Sequence, residues 1–118
     1  MTRLGLILLL LSVATVTGWA HAFLDHADPR VGSQGKTSPS QVKIWFTEKL
    51  EPVLSRIEVF DSAGKEVDRH DSQVNSTNPA ILEVSLAPLK PGKYKASWRV
   101  TAVDTHVTTG TFEFEVVR

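Results

Sequence analysis

Leu89-Lys90-Pro91-Gly92-Lys93-Tyr94-Lys95-Ala96-Ser97-Trp98-Arg99-Val100 is the stretch that decides the fold. Pro before Gly is the preference of a type II turn. From Tyr94 to Val100, apolar and polar residues then alternate with a period of two, as in a half-buried strand. A second such stretch, Thr111-Phe112-Glu113-Phe114-Glu115-Val116, closes the chain with Phe112, Phe114 and Val116 on one face. Upstream, Val42 to Phe46, Arg56 to Phe60 and Ala80 to Leu86 read the same way. Asp61-Ser62-Ala63-Gly64-Lys65 reads as a turn that brings Glu66-Val67 back as a hairpin partner. Asp68 to Pro79 is polar and turn-rich and reads as a loop. No segment longer than a turn or two has helical periodicity. The pattern predicts an all-β, immunoglobulin-like Greek-key sandwich of about seven strands. Trp45, Trp98, Tyr94, Phe46, Phe112 and Phe114 are expected to fill its core rather than line a ligand groove.

Ahead of the strands lies a different kind of sequence. Arg3 precedes the apolar run Leu4 to Leu11, and small residues stand at Gly18 and Ala20. This is the layout of a signal peptide, here residues 1–20, with a mature domain of residues 21–118. The apolar run is short of the roughly 20 residues a membrane span needs. A cut after Ala20 makes His21 the new N-terminus, whereas a cut after Ala22 would remove it. We expect the first, giving an exported protein with no membrane span.

Removing 20 of the 118 residues leaves 98, enough for one domain with one modest core. Loss of Arg3 leaves 12 basic against 13 acidic side chains. That balance gives no electrostatic case for nucleic acid or an anionic membrane. Cysteine is absent, which excludes disulfides, thiolate metal sites and thiol catalysis. The single methionine is Met1, so the mature domain has no thioether for soft Cu(I).

Nitrogen and oxygen donors remain. An N-terminal His21 would offer its α-amine and its imidazole Nδ1 to one ion as a chelate. Asp104-Thr105-His106 supplies more: in extended backbone, residues two apart project from the same face about 6–7 Å apart. Thr105 between them would point away and bond locally. Alone, such a triplet is a weak signal. With His21 it makes three nitrogens and an oxygen, a set that suits tetragonal Cu(II), one per chain. Zn(II) favours a tetrahedral set, and Mg(II) or Ca(II) would want more carboxylates. The amine must lose a proton with an ordinary pKa of about 7.7–8.0, so binding should weaken below neutral pH. His26 and His70 are expected to be ordinary solvated histidines. Asn75-Ser76-Thr77 is formally a glycosylation sequon and reads as loop.

These residues resemble the CopC-type copper-binding family. His21-Ala22-Phe23-Leu24 followed by Ala27-Asp28-Pro29 and Gly32-Ser33 is similar to the start of its mature members. Pro91-Gly92-Lys93-Tyr94, Trp98-Arg99-Val100, then Val103-Asp104-Thr105-His106 with Gly110, Phe112, Phe114 and Val116 is similar to the closing half. Phe46-Thr47-Glu48 stands where the family carries a Phe-Ser-Glu stretch. The resemblance covers essentially the whole mature domain. It implies a β-sandwich binding Cu(II) in the bacterial periplasm through His21, Asp104 and His106, with Glu48 close behind those ligands, able to orient them. Two departures stand out. The methionine-rich Cu(I) site of some members has no counterpart here, and Phe23 replaces a further histidine found in others.

The function expected is therefore a monomeric periplasmic Cu(II) carrier or buffer of copper homeostasis, not an enzyme. The family implies delivery to a CopD-like inner-membrane partner. A second reading is a copper monooxygenase-like enzyme using the same histidine chelate, but Asp104 would occupy the position oxygen needs. A third is a metal-free structural sandwich, since fold alone does not fix function.

Overall fold

The computed structural model describes residues 22–118. The expected leader and His21 lie outside them. The described chain is all-β apart from one 3-10 turn, Pro52–Leu54. Its strands are β1 (Leu24–Asp28), β2 (Gln34–Gly35), β3 (Gln41–Phe46), β4 (Arg56–Asp61), β5 (Gln73–Val74), β6 (Ile81–Ser85), β7 (Gly92–Thr101) and β8 (Val107–Val116). They form two four-stranded sheets, ordered β1-β3-β6-β5 and β2-β8-β7-β4. Consecutive strands repeatedly change sheet, so the long pairings β3/β6 and β4/β7 join segments far apart in the chain. The predicted sandwich is thus present. It has eight strands, two of them only two residues long.

Alternation builds the core. Val42, Ile44 and Phe46 of β3 are buried, as are Ile57 and Val59 of β4, and Tyr94, Ala96 and Val100 of β7. Phe112, Phe114 and Val116 of β8 complete the opposing face. Each such large side chain contributes about 1.5–3 kcal/mol of apolar burial. Tyr94 keeps its polar end satisfied by donating from its hydroxyl to the Lys90 carbonyl at 2.6 Å. Burial, followed by the negative charge of Asp61, pushes that phenol above its ordinary range.

Trp98 and Gly110 face each other across β7 and β8. The indole lies flat over the glycine, so an added Cβ would come within 2.3 Å of Trp98 Cζ2. The ring packs edge-on to Phe46, with centroids 5.8 Å apart. Gly110 is therefore the space that lets the largest side chain of β7 lie down.

Three expectations need correction. Trp45 is not a core residue: it falls on the outward parity of β3 and stacks on His26, 4.4 Å between centroids. Gly92 is not the third residue of a type II turn, because its φ of 156° is far from the roughly 80° such a turn requires. It already pairs with Val116 as the first residue of β7. Glu66-Val67 does return against β4 as expected, through the Phe60–Glu66 bridge and a Val67 N to Val59 carbonyl bond at 2.8 Å, before Asp68 bridges to Leu86. The segment read as a loop from Asp68 to Pro79 also carries the short β5.

Candidate metal centre

β7 ends at Thr101 and β8 begins at Val107, so residues 102–106 must reverse the chain. Thr105 N donates to the Ala102 carbonyl at 2.8 Å, and Ala102 N to the His106 carbonyl at 2.9 Å. Thr105 takes a φ of 76°, the left-handed conformation a tight reversal demands. The expected extended strand through Asp104 and His106 is therefore replaced by a turn. The turn still gathers the pair. His106 Nδ1 lies 3.1 Å from Asp104 Oδ2, and His106 N donates to Asp104 Oδ1 at 3.1 Å. The Thr105 hydroxyl turns away and donates to the Asp104 carbonyl. The Asp104 and His106 side chains remain 33% and 48% exposed, so one oxygen and one nitrogen donor stand side by side at the surface.

Two other segments meet this turn. Val103 N donates to the Lys49 carbonyl at 3.0 Å, and Leu50 bridges to Ala102. Glu48, half-buried, is thereby held one residue from the contact. It is near in backbone, yet among the described residues Glu48, Asp104 and His106 do not gather into one ligand-sized cluster. The N-terminal segment arrives from the other sheet. The Thr108 hydroxyl, two residues past His106, donates to the Ala22 carbonyl at 2.7 Å. Ala22 itself is 1% exposed. His21, the remaining predicted ligand, lies outside the described residues.

His26 and His70 are both engaged elsewhere. His26 Nδ1 lies 2.7 Å from Asp25 Oδ2 while its ring stacks on Trp45. His70 belongs to a cluster that reading the sequence missed: the ligand atoms of Glu66, Asp68 and His70 lie within 4.8 Å of one another. Asp68-Arg69-His70 is a second Asp-x-His triplet, and that spacing was the signal that could have found it. Its atoms are largely spent on the fold. Asp68 Oδ2 accepts from Val59 N at 2.8 Å and Oδ1 from His70 N at 2.9 Å. Glu66 has its pKa raised, first by a hydrogen bond with Asp68 and then by burial and Asp68's charge.

A two-sheet sandwich whose β7–β8 turn presents an Asp-His pair beside the incoming N-terminal segment defines the class. Residues 24–117 match the CopC domain model, and the chain belongs to the CopC domain family. It is 32% identical over 115 residues to the protein YobA of Escherichia coli K12, spanning 97% of this chain and 93% of that one. It is 31% identical over 112 residues to the copper transport protein CutJ of Bacillus subtilis, and there it spans 94% of this chain but only 21% of the relative. Copper resistance protein C of Pseudomonas syringae is 29% identical over 103 residues, covering 82% of this chain and 81% of that relative. Among solved structures, CopC of Methylosinus trichosporium superposes with a TM-score of 0.73 at 32% identity, over 82% of this chain and 94% of that one. PcoC of E. coli superposes at 0.72 with 24% identity, covering 82% and 99%, a likeness of fold alone.

Proposed function

We propose that the chain is an exported Cu(II)-binding protein of copper homeostasis, made competent by removal of residues 1–20. The ligands are the amine and Nδ1 of His21, the imidazole of His106 and a carboxylate oxygen of Asp104, one ion per monomer. Glu48 stands behind them. Copper is carried or buffered in the periplasm and passed to a CopD-like membrane partner, without turnover.

One observation carries the reading. The Ala22 carbonyl accepts from the Thr108 hydroxyl, two residues past His106, which supports a ligand role for the residue that precedes Ala22. The relatives' names, copper transport protein and copper resistance protein C, support copper as the cargo. Nitrogen and carboxylate donors without thiolate or thioether favour Cu(II) over Cu(I).

The test is a Cu(II) titration of protein beginning at His21, followed by EPR at neutral pH. One equivalent with a tetragonal, nitrogen-rich signal is expected. Protein with one extra residue before His21 should lose most of that affinity, because an amide replaces the amine. Equal binding by the two forms would remove the amine from the ligand set.

A further inference from the structure

Chain termini are usually loose unless something ties them down. Here the two residues after His21 are tied to both sheets. Phe23 N donates to Thr47 Oγ1 at 2.9 Å, and the Phe23 carbonyl accepts from Thr47 N at 2.9 Å. Thr47 directly follows β3 in the first sheet. The Ala22 carbonyl accepts from Thr108 Oγ1 at 2.7 Å, and Thr108 belongs to β8 in the second sheet. The parity of β8 explains the second bond. Phe112, Phe114 and Val116 are its buried residues, and Thr108 shares their side of the strand. A hydroxyl on the inward face needs an acceptor, and the nearly buried Ala22 peptide provides one.

Ladder pairing of β1 with β3 would have held Phe23 through its carbonyl alone. The two threonine hydroxyls add what the ladder lacks: a fixed Phe23 amide and a fixed Ala22 carbonyl. Together they fix the plane of the peptide between those residues, and with it the Ala22 Cα from which the chain runs on toward its N-terminus. Thr108 also ties that Cα to His106, since only Val107 stands between the two.

We propose that Thr47 and Thr108 are positioning residues for the N-terminal chelate. They clamp Ala22-Phe23 so that the residue before them meets Asp104 and His106 without ordering a free terminus at the moment of binding. The physical gain is preorganisation: a segment fixed in advance does not subtract its conformational entropy from the binding free energy. Neither threonine touches the ion. The inference rests on the proposed role of His21, and it adds residues that set how well His21 can act.

The experiment uses the protein processed to His21, its Thr108→Val and Thr47→Val variants, and Thr108→Ser as the conservative rescue. Cu(II) affinity is read by competition with a chelating dye, geometry by EPR, and the fold by melting of the metal-free protein. Thr108→Val should weaken Cu(II) binding by about tenfold, the cost of one orphaned buried partner. Its EPR spectrum should broaden into more than one copper environment. Thr47→Val should cost less, about threefold, because the Phe23 carbonyl keeps its bond. Thr108→Ser should return affinity to within about twofold of the parent, since it keeps the hydroxyl. If the valine variants melt lower yet bind Cu(II) with the parent's affinity and spectrum, the threonines are merely structural and the clamp is overturned. A readout without any substitution is amide exchange at Phe23 in the metal-free protein. Slow exchange is expected, and exchange at the rate of an unfolded chain would overturn the clamp. Failure of the parent itself to take up stoichiometric Cu(II) would instead sink the functional reading, and the clamp with it.

Discussion

Asp68-Arg69-His70 and Asp104-Thr105-His106 share one spacing and one side-chain-to-backbone bond, and sit in different surroundings. In each, the aspartate Oδ1 accepts from the histidine's own backbone N, at 2.9 Å and 3.1 Å respectively. In each, the histidine Nδ1 approaches the aspartate carboxylate, at 3.7 Å and 3.1 Å. In each, one non-glycine residue adopts a positive φ: His70 at 59° and Thr105 at 76°. The triplet is therefore a device for turning the chain before it is anything else. The difference is burial and company. The Asp68 side chain is 1% exposed and spends its second oxygen on Val59 N. Asp104 is 33% exposed, on a turn where the N-terminal segment arrives. What the rest of the fold places beside a short motif decides which of its atoms are spent and which stay exposed.

That contrast can be broken most sharply at Asp68. Asp68→Ala leaves the Val59 and His70 amides without their buried acceptor, and should lower stability by about 2–4 kcal/mol in denaturant unfolding. Copper stoichiometry of the folded fraction should not change. A variant that stays stable but loses copper would exchange the roles of the two triplets.

His106→Ala should do the reverse. Cu(II) affinity is expected to fall about a hundredfold, while stability stays within about 0.5 kcal/mol of the parent, as for other surface substitutions. Asp104→Ala should cost affinity less, about tenfold, because it removes an oxygen rather than a nitrogen from the set. A larger loss for the aspartate, measured in the same competition titration, would contradict that ranking.

Glu66 tests the fold-bearing triplet more finely. Its carboxyl is held above the ordinary 4.5 by the hydrogen bond with Asp68, then by burial and Asp68's charge. A raised acid contributes stability that is fully present below the unfolded value, and that contribution is lost as pH rises from about 4.5 through the folded value. Glu66→Gln removes the ionisation. The variant should be as stable as the parent or slightly more so at neutral pH, and should show a flatter stability profile above pH 4.5. A clear loss of stability at neutral pH would mean that the approach of Glu66 Oε2 to His70 Nδ1, 3.3 Å, outweighs the repulsion.

Much of this was legible before the fold was known, for reasons that differ by element. β3, β4, β6, β7 and β8 announce themselves because each buries alternate residues against a single core. β1 carries no such pattern, because Leu24–Asp28 buries only Ala27, half-buries Leu24 and spends the rest on two acids and a histidine. β2 and β5, two residues each, carry no periodicity at all. Trp45 was read as core because an aromatic next to Phe46 looks apolar, yet parity turns it outward onto His26. The Asp104–His106 pair was identified in the sequence, but its backbone was misread. A spacing of two is shared by a strand and by this turn, and only the need to reverse between β7 and β8 separates them.

Alternation is a property of neighbours in the chain. The two opposed apolar faces, and hence a two-sheet sandwich, were therefore already written in residues 42–116. The donor types were written there too, since cysteine is absent and the only methionine is Met1. Which Asp-x-His triplet is spent on the core and which faces the N-terminus was not. That choice depends on bonds such as the one between Ala22 and Thr108, 86 residues apart in sequence. Only packing the two sheets together brings such residues within reach, and no local pattern encodes that distance.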